Sequence, residues 1–163
     1  MNRPTIKCMG PQDISQWRLL SKSYDRYARQ LIDDLSVFYN GFEKYMASKV
    51  AKREAYMVFL DSLCCGVIAF SKRHNRITFF GIDEQVDFQV IGDLLLETAL
   101  ERLSPLSDIT INVFDSSQEI FRKEEMLLSE KGFVHNGEMT VEEGAAAKVY
   151  RKPSSMGTTQ NCA

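Results

Sequence analysis

The stretch Arg76-Ile77-Thr78-Phe79-Phe80-Gly81-Ile82-Asp83-Glu84-Gln85-Val86-Asp87-Phe88-Gln89-Val90-Ile91-Gly92-Asp93-Leu94-Leu95-Leu96-Glu97-Thr98-Ala99-Leu100 decides the fold of this 163-residue chain. Its opening is rich in β-branched and aromatic residues, the composition of a strand over about 76–82. Its close, from Gly92, is a strongly apolar run at helical spacing, which predicts a helix over about 91–103. Upstream, Tyr56-Met57-Val58-Phe59-Leu60 is uniformly apolar, as in a strand covered on both faces. Asp61-Ser62 and His74-Asn75 read as turns on either side of a second strand at 64–70. Three antiparallel strands at about 55–60, 64–70 and 76–82 follow as a meander. Downstream come a strand at Ile109–Val113 and a helix at about 118–131 that closes on Glu130-Lys131-Gly132-Phe133. A strand from Phe133 and a last hairpin, Met139–Val141 with Lys148–Tyr150 around Glu142-Glu143-Gly144, complete the pattern. A strand, helix, strand unit implies that 109–113 runs parallel to 76–82.

Before this stretch, Thr5–Cys8 reads as a short strand ended by Gly10-Pro11, and Ile14, Trp17 and Leu20 mark one face of a helix. Tyr24, Tyr27, Ala28, Leu31, Leu35, Phe38, Phe42, Tyr45 and Met46 continue at three- and four-residue steps, a helical region broken near Asn40-Gly41. Lys49 to Glu54 is a polar cluster, beyond which the period changes. The predicted core is Val58, Leu60, Val67, Phe79, Leu95, Ala99 and Ile111. The fold class is α+β, an α/β/α sandwich with a mixed central sheet, as one domain over 1–153 with a polar tail at 154–163.

A net charge of −2 and a pI near 5.7 give no general attraction to nucleic acid or anionic membrane. No apolar run approaches the roughly 18–20 residues of a membrane span, and the N-terminus has no signal-peptide core, so a cytoplasmic location is expected. Cys64 and Cys65 are adjacent in a strand and point to opposite faces; with Cys8 and Cys162 they read as free thiols. No ligand spacing for a metal is present, and His74 and His135 lack the partners of a hydrolase triad.

The order of elements resembles the GNAT superfamily of acyl-CoA-dependent N-acetyltransferases. In that family a strand ends beside the pantetheine arm, and a motif Gln/Arg-x-x-Gly-x-Gly/Ala leads into an apolar helix. The helix N-terminus, with free N–H groups and the positive end of its dipole, holds the CoA pyrophosphate. Without a gap, Phe80-Gly81-Ile82 falls on the pantetheine strand and Asp87-Phe88-Gln89-Val90-Ile91-Gly92 on the motif. Gly92 agrees; Asp87 stands for Arg or Gln, and Val90 for the middle glycine. A register two residues later places Gln89 and Gly92 on the first Gln and the middle Gly instead. Asp83, Glu84, Asp87 and Asp93 make the loop acidic, and no Lys or Arg lies between Arg76 and Arg102. Basic groups for the phosphates would then come from Lys72, Arg73, Arg122 or Lys123.

The resemblance implies acetyl-CoA as acyl donor and a primary amine, small or on a protein, as acceptor. It assigns cofactor contact to Ile82, Asp87, Phe88, Gln89, Val90, Ile91, Gly92 and Asp93. Asp83 or Glu84 would take a proton from the amine, and Tyr24 and Tyr27 would wall the acceptor side. The family's tyrosine four residues before Gly-Phe, which protonates the leaving thiolate, is Leu128 here; Ser116, among the residues expected to cap that helix, is the substitute at hand. A second reading of the same residues is a catalytically degenerate GNAT-fold protein. Phe38, Tyr39, Phe42 and Tyr45 would then form an interaction surface, for example in a homodimer.

Overall fold

The computed structural model describes residues 3–22, 41–142 and 144–155. In chain order these form β1 (Thr5–Cys8), a 3-10 turn (Pro11–Asp13), α1 (Ile14–Lys22), α2 (Phe42–Ala51), β2 (Ala55–Leu60), β3 (Leu63–Ser71), β4 (Arg76–Ile82), α3 (Phe88–Arg102), β5 (Ile109–Phe114), α4 (Glu119–Glu130), β6 (Met139–Glu142) and β7 (Ala145–Lys152). The strands build one mixed sheet in the order β1-β2-β3-β4-β5-β7-β6, antiparallel except at β4–β5. The meander and the parallel pairing of β5 with β4 match the sequence-based expectation.

The sheet separates two apolar clusters. Val58, Cys65, Ile68, Phe70 and Ile77 face α3 and α4, where Ile91, Leu95, Leu96, Leu127 and Leu128 close the layer. Met57, Val67 and Ala69 face α1 and α2, packing on Trp17, Leu20, Met46 and Val50. Cys64 and Cys65 divide between the two faces, as period-two alternation requires. Burial pushes the Cys64 thiol up to about 12 and the Cys65 thiol up to about 11, which favours the protonated form at neutral pH. Gly66 lets α3 lie close on β3: a Cβ there would stand 2.8 Å from Ile91 and 2.9 Å from Leu95.

Five of the seven predicted core residues are fully buried; Leu60 and Phe79 are only partly covered. The polar cluster Lys49–Glu54 is divided between the end of a helix and a buried ion pair. Helix α2 runs on to Ala51, and Lys49 is buried with its Nζ 2.6 Å from the Phe70 carbonyl and 3.3 Å from Glu54 Oε1. Helix α3 begins three residues before the predicted start. From Phe133 the chain makes only an isolated bridge, Val134 with Arg151, rather than a strand. Residues 24–40 of the predicted second helical region, and the tail beyond Ser155, lie outside the described residues.

Two features shape the sheet's centre. Pairing of β4 with β5 consists of Arg76 with Thr110 and Ile77 with Ile111 and stops there, although β4 continues to Ile82 and β5 to Phe114. The break coincides with a bulge: Ala69 pairs Phe79 and Phe70 pairs Ile77, leaving Thr78 over. A bulge twists and bends its strand, and here it carries β4 away from β5. At the closed end, Asn75 is buried in a left-handed conformation (φ 52°). Its Nδ2 lies 2.9 Å from the Ser104 carbonyl and 3.2 Å from those of Ser107 and Asp108, while Oδ1 accepts from Ser104 N at 2.8 Å.

Candidate functional site

The sheet opens as a wedge between β4 and β5, with its mouth at their C-terminal ends. Loop 83–87 leaves β4 at that mouth and enters α3. Asp87 caps the helix, its carboxylate accepting from Val90 N at 3.1 Å, which satisfies one of the amides that a helix start leaves without a partner. Asp83 makes a local turn, accepting from Gln85 N at 2.8 Å, and Glu84 is exposed beside it. Phe88 stacks on Phe80 of β4, ring centroids 6.1 Å apart and 13° from parallel, and fixes where the helix begins.

The residues given to cofactor contact divide by face. Gln89, Val90 and Asp87 are exposed at the helix start, with Gln89 Nε2 donating to Glu130 at 2.8 Å. Ile82 and Ile91 turn their side chains into the core, and Ile91 N already donates to the Asp87 carbonyl at 3.1 Å. Gly92 is also buried: a Cβ there would collide with a Leu127 methyl and stand 3.2 Å from Ile82. This glycine is the contact point of α3 with α4. Asp93 pairs with Lys131, which also holds Glu97 at 2.7 Å; both contacts raise the Lys131 ammonium pKa. Lys131 thus offsets two of the carboxylates on α3.

Lys72 and Arg73 sit in the turn before β4, a strand length of roughly 20 Å from the loop. Arg122 and Lys123, exposed on the first turns of α4, lie on the same side as the mouth. Tyr24 and Tyr27 lie outside the described residues. The expected Asp115-Ser116-Ser117 cap of α4 is corrected: Gln118 is the N-cap and makes no side-chain cap bond, while Ser116 Oγ accepts from Gln118 N at 3.2 Å. Leu128 is fully buried, so no hydroxyl stands at that turn of α4.

Two residues at the wedge, Glu124 and Glu142, are given no site role by the sequence, and a third, Tyr45, reads as interaction surface but packs inward on Trp17 and Phe42. Tyr45 of α2 reaches the bulge, its hydroxyl 2.5 Å from Thr78 Oγ1; burial pushes it up to about 12, with the Glu142 charge adding to the shift. Glu124 of α4 is half-buried and pushed up to about 8, by burial first and then by Glu125 and Glu142. Glu142, at the end of β6, acts electrostatically on both sides of the sheet. Glu124 did carry a signal, a carboxylate within the apolar stripe Ile120, Leu127 and Leu128. A cavity of about 440 Å³ between Cys8–Gln12 and Val50–Arg53 lies at the β1 edge, remote from the wedge. Among the described residues, no three His, Cys, Asp or Glu side chains gather as a metal site, and no helix is long and apolar enough to cross a membrane.

No family model matches the sequence, and no curated protein does either. Solved structures match over nearly the whole chain. The PaiA N-acetyltransferase of Thermoplasma acidophilum, in complex with coenzyme A, superposes with a TM-score of 0.71 at 12% identity, over 93% of this chain and 99% of that one. The fold is GNAT. An acetyltransferase of the GNAT family from Bacillus cereus gives 0.65 at 12% identity, over 93% and 98% of the two chains. The ribosomal-protein-S18-alanine N-acetyltransferase of Escherichia coli gives 0.61 at 17%, over 94% and 96%. In this chain the bulge, in the β3–β4 ladder at Thr78, directly follows Ile77, the last residue of β4 that pairs with β5.

Proposed function

We propose that this protein transfers an acetyl group from acetyl-CoA to a primary amine in the cytoplasm. The observation that carries the reading is the wedge, opened at the Thr78 bulge and facing the start of α3. The solved structure of the same fold from Thermoplasma acidophilum holds coenzyme A, and other similar structures are N-acetyltransferases.

The residues present fit such a donor in part. Among the described residues β4 and β5 make no ladder with each other at Phe79–Gly81 and Asn112–Phe114, and these facing edges suit an amide-bearing arm, which can add backbone hydrogen bonds as a strand does. The amides of Phe88 and Gln89 precede the first intrahelical bonds and face the loop. The third, Val90 N, is already taken by Asp87, so phosphates would meet a partly neutralised helix end. Arg122 and Lys123 are the cations available on that side. Acetyl-CoA supplies an activated acyl carbon. The protein orients it, holds developing negative charge with backbone N–H groups near Ile82, and removes a proton from the amine through Asp83 or Glu84, at the mouth.

The test is calorimetric titration with acetyl-CoA, followed by thiol release with a panel of amines: a polyamine, a peptide beginning with alanine, and a lysine peptide. Saturable binding with turnover of at least one amine supports the reading. No binding at about millimolar donor removes it.

A further inference from the structure

The geometry points to Glu124 as the proton donor to the departing sulfur, in the place that Leu128 leaves without a hydroxyl; this rests on the acetyl-transfer reading. Helix α4 bridges the two arms of the wedge. At its first turn Phe121 rests edge-on against Phe114 at the end of β5, centroids 5.8 Å apart at 76°. Two turns later Leu127 fills the space at Gly92, beside Ile82 and Phe80 of β4. Glu124 falls between these anchors, on the stripe with Ile120 and Leu127. It therefore lies on the helix between the contact to β5 and the contact to β4, one helical turn before Leu128.

Its surroundings keep it free for this task. Neighbouring Glu125 is committed, accepting from the Tyr150 hydroxyl and from Lys148 Nζ, each at 2.8 Å. Asp93 and Glu97 of α3 are held by Lys131. Among the described residues nothing hydrogen-bonds to the Glu124 carboxyl. The charges acting on it, Glu125 on its own helix and Glu142 from β6, are both negative, and with burial they favour the protonated acid. Held at about 8, that acid is close in proton affinity to a thiol near 8.5, which suits transfer between them.

The step balances simply. The amine nitrogen bonds to the acyl carbon as the carbon–sulfur bond breaks; Glu124 passes its proton to the sulfur. The surplus proton on nitrogen leaves through Asp83 or Glu84 to water, and the Glu124 carboxylate regains a proton from solvent. The products are the amide and the free thiol.

The experiment compares wild type with Glu124→Gln in two assays. The first is binding of CoA and of desulfo-CoA, which lacks the sulfur, at about pH 6.5 and about pH 9. In wild type, ionised Glu124 beside a partly ionised thiol should weaken CoA relative to desulfo-CoA by about fivefold at the higher pH, and Glu124→Gln should remove the difference. A residue with only a structural role would move both ligands alike. The second is turnover: kcat should fall by about a hundredfold, with KM for acetyl-CoA within about twofold, and the alkaline limb of the kcat profile near pH 8 should disappear. Wild-type kcat and an unchanged limb in Glu124→Gln, while CoA still binds, overturn the assignment and leave the acetyl-transfer reading standing. A pH response equal for CoA and desulfo-CoA overturns it as well. Wild type that binds neither ligand removes the reading and the assignment together.

Discussion

Asp87 does two opposed things, and one substitution separates them. As N-cap it stabilises α3 through Val90 N at 3.1 Å. As a charge it repels any phosphate that reaches the amides of Phe88 and Gln89, about one helical turn away, or about 6 Å. At an effective dielectric near 20 that repulsion is about 2.8 kcal/mol, and a screening length of about 8 Å reduces it to about 1.3 kcal/mol. Asn caps as well as Asp does, so Asp87→Asn should keep the helix intact and tighten CoA about tenfold. Asp87→Arg changes the charge by two units and should tighten CoA by up to about a hundredfold. It also forfeits the cap, at about 0.5–2 kcal/mol, a fall in Tm of about 2–6 °C. Calorimetric titration and melting of the three proteins decide the matter. If wild type binds CoA and Asp87→Asn leaves Kd within about twofold, the phosphates do not lie at the start of α3. The later register, with Gln89 in the first motif position, then becomes the better alignment.

Leu95→Ala, at a fully buried site between α3 and the sheet, should cost about 2–5 kcal/mol by denaturant unfolding. Gly92→Ala drives a Cβ into Leu127 and should cost about 1–3 kcal/mol, with Leu127→Ala in the same chain recovering part of it. Glu124 is raised from 4.5 to about 8 in the folded protein, so its contribution to stability is fully present below about pH 4.5 and is lost as pH rises towards 8. Glu124→Gln should therefore melt like wild type near pH 5 and above it at pH 8–9, a pH-dependent gap that differential calorimetry reads directly.

The sheet was legible because its signals are local. Apolar runs of five or six residues, divided by Asp61-Ser62 and His74-Asn75, leave one economical pairing, and the run after Asp87 leaves one crossover. The start of α3 was misplaced because Gly92 was taken as a terminus signal. Its real service is to admit Leu127, a contact that no local pattern announces, while Asp87, a good capping residue, marked the true start. The burial of Lys49 was not legible because the Phe70 carbonyl that holds it comes from β3, beyond any local pattern. The site was legible in position but not in chemistry. Which carboxylate is isolated and which is paired depends on α4 lying across the wedge, a tertiary fact. Glu124 and Glu125 are identical letters side by side, and only the fold gives one of them Tyr150 and Lys148.

The Asn75 clasp lies at the closed end of the wedge, a strand length from its mouth. A V-shaped opening is governed by its apex, and here the apex is two ladder pairs, Arg76 with Thr110 and Ile77 with Ile111, braced by an amide gripping the backbone between α3 and β5. Small rearrangements of that grip are magnified along the arms, as displacement grows with distance from a pivot. Variation at 104–108 can therefore retune how wide a guest the jaws admit without altering any residue that touches it.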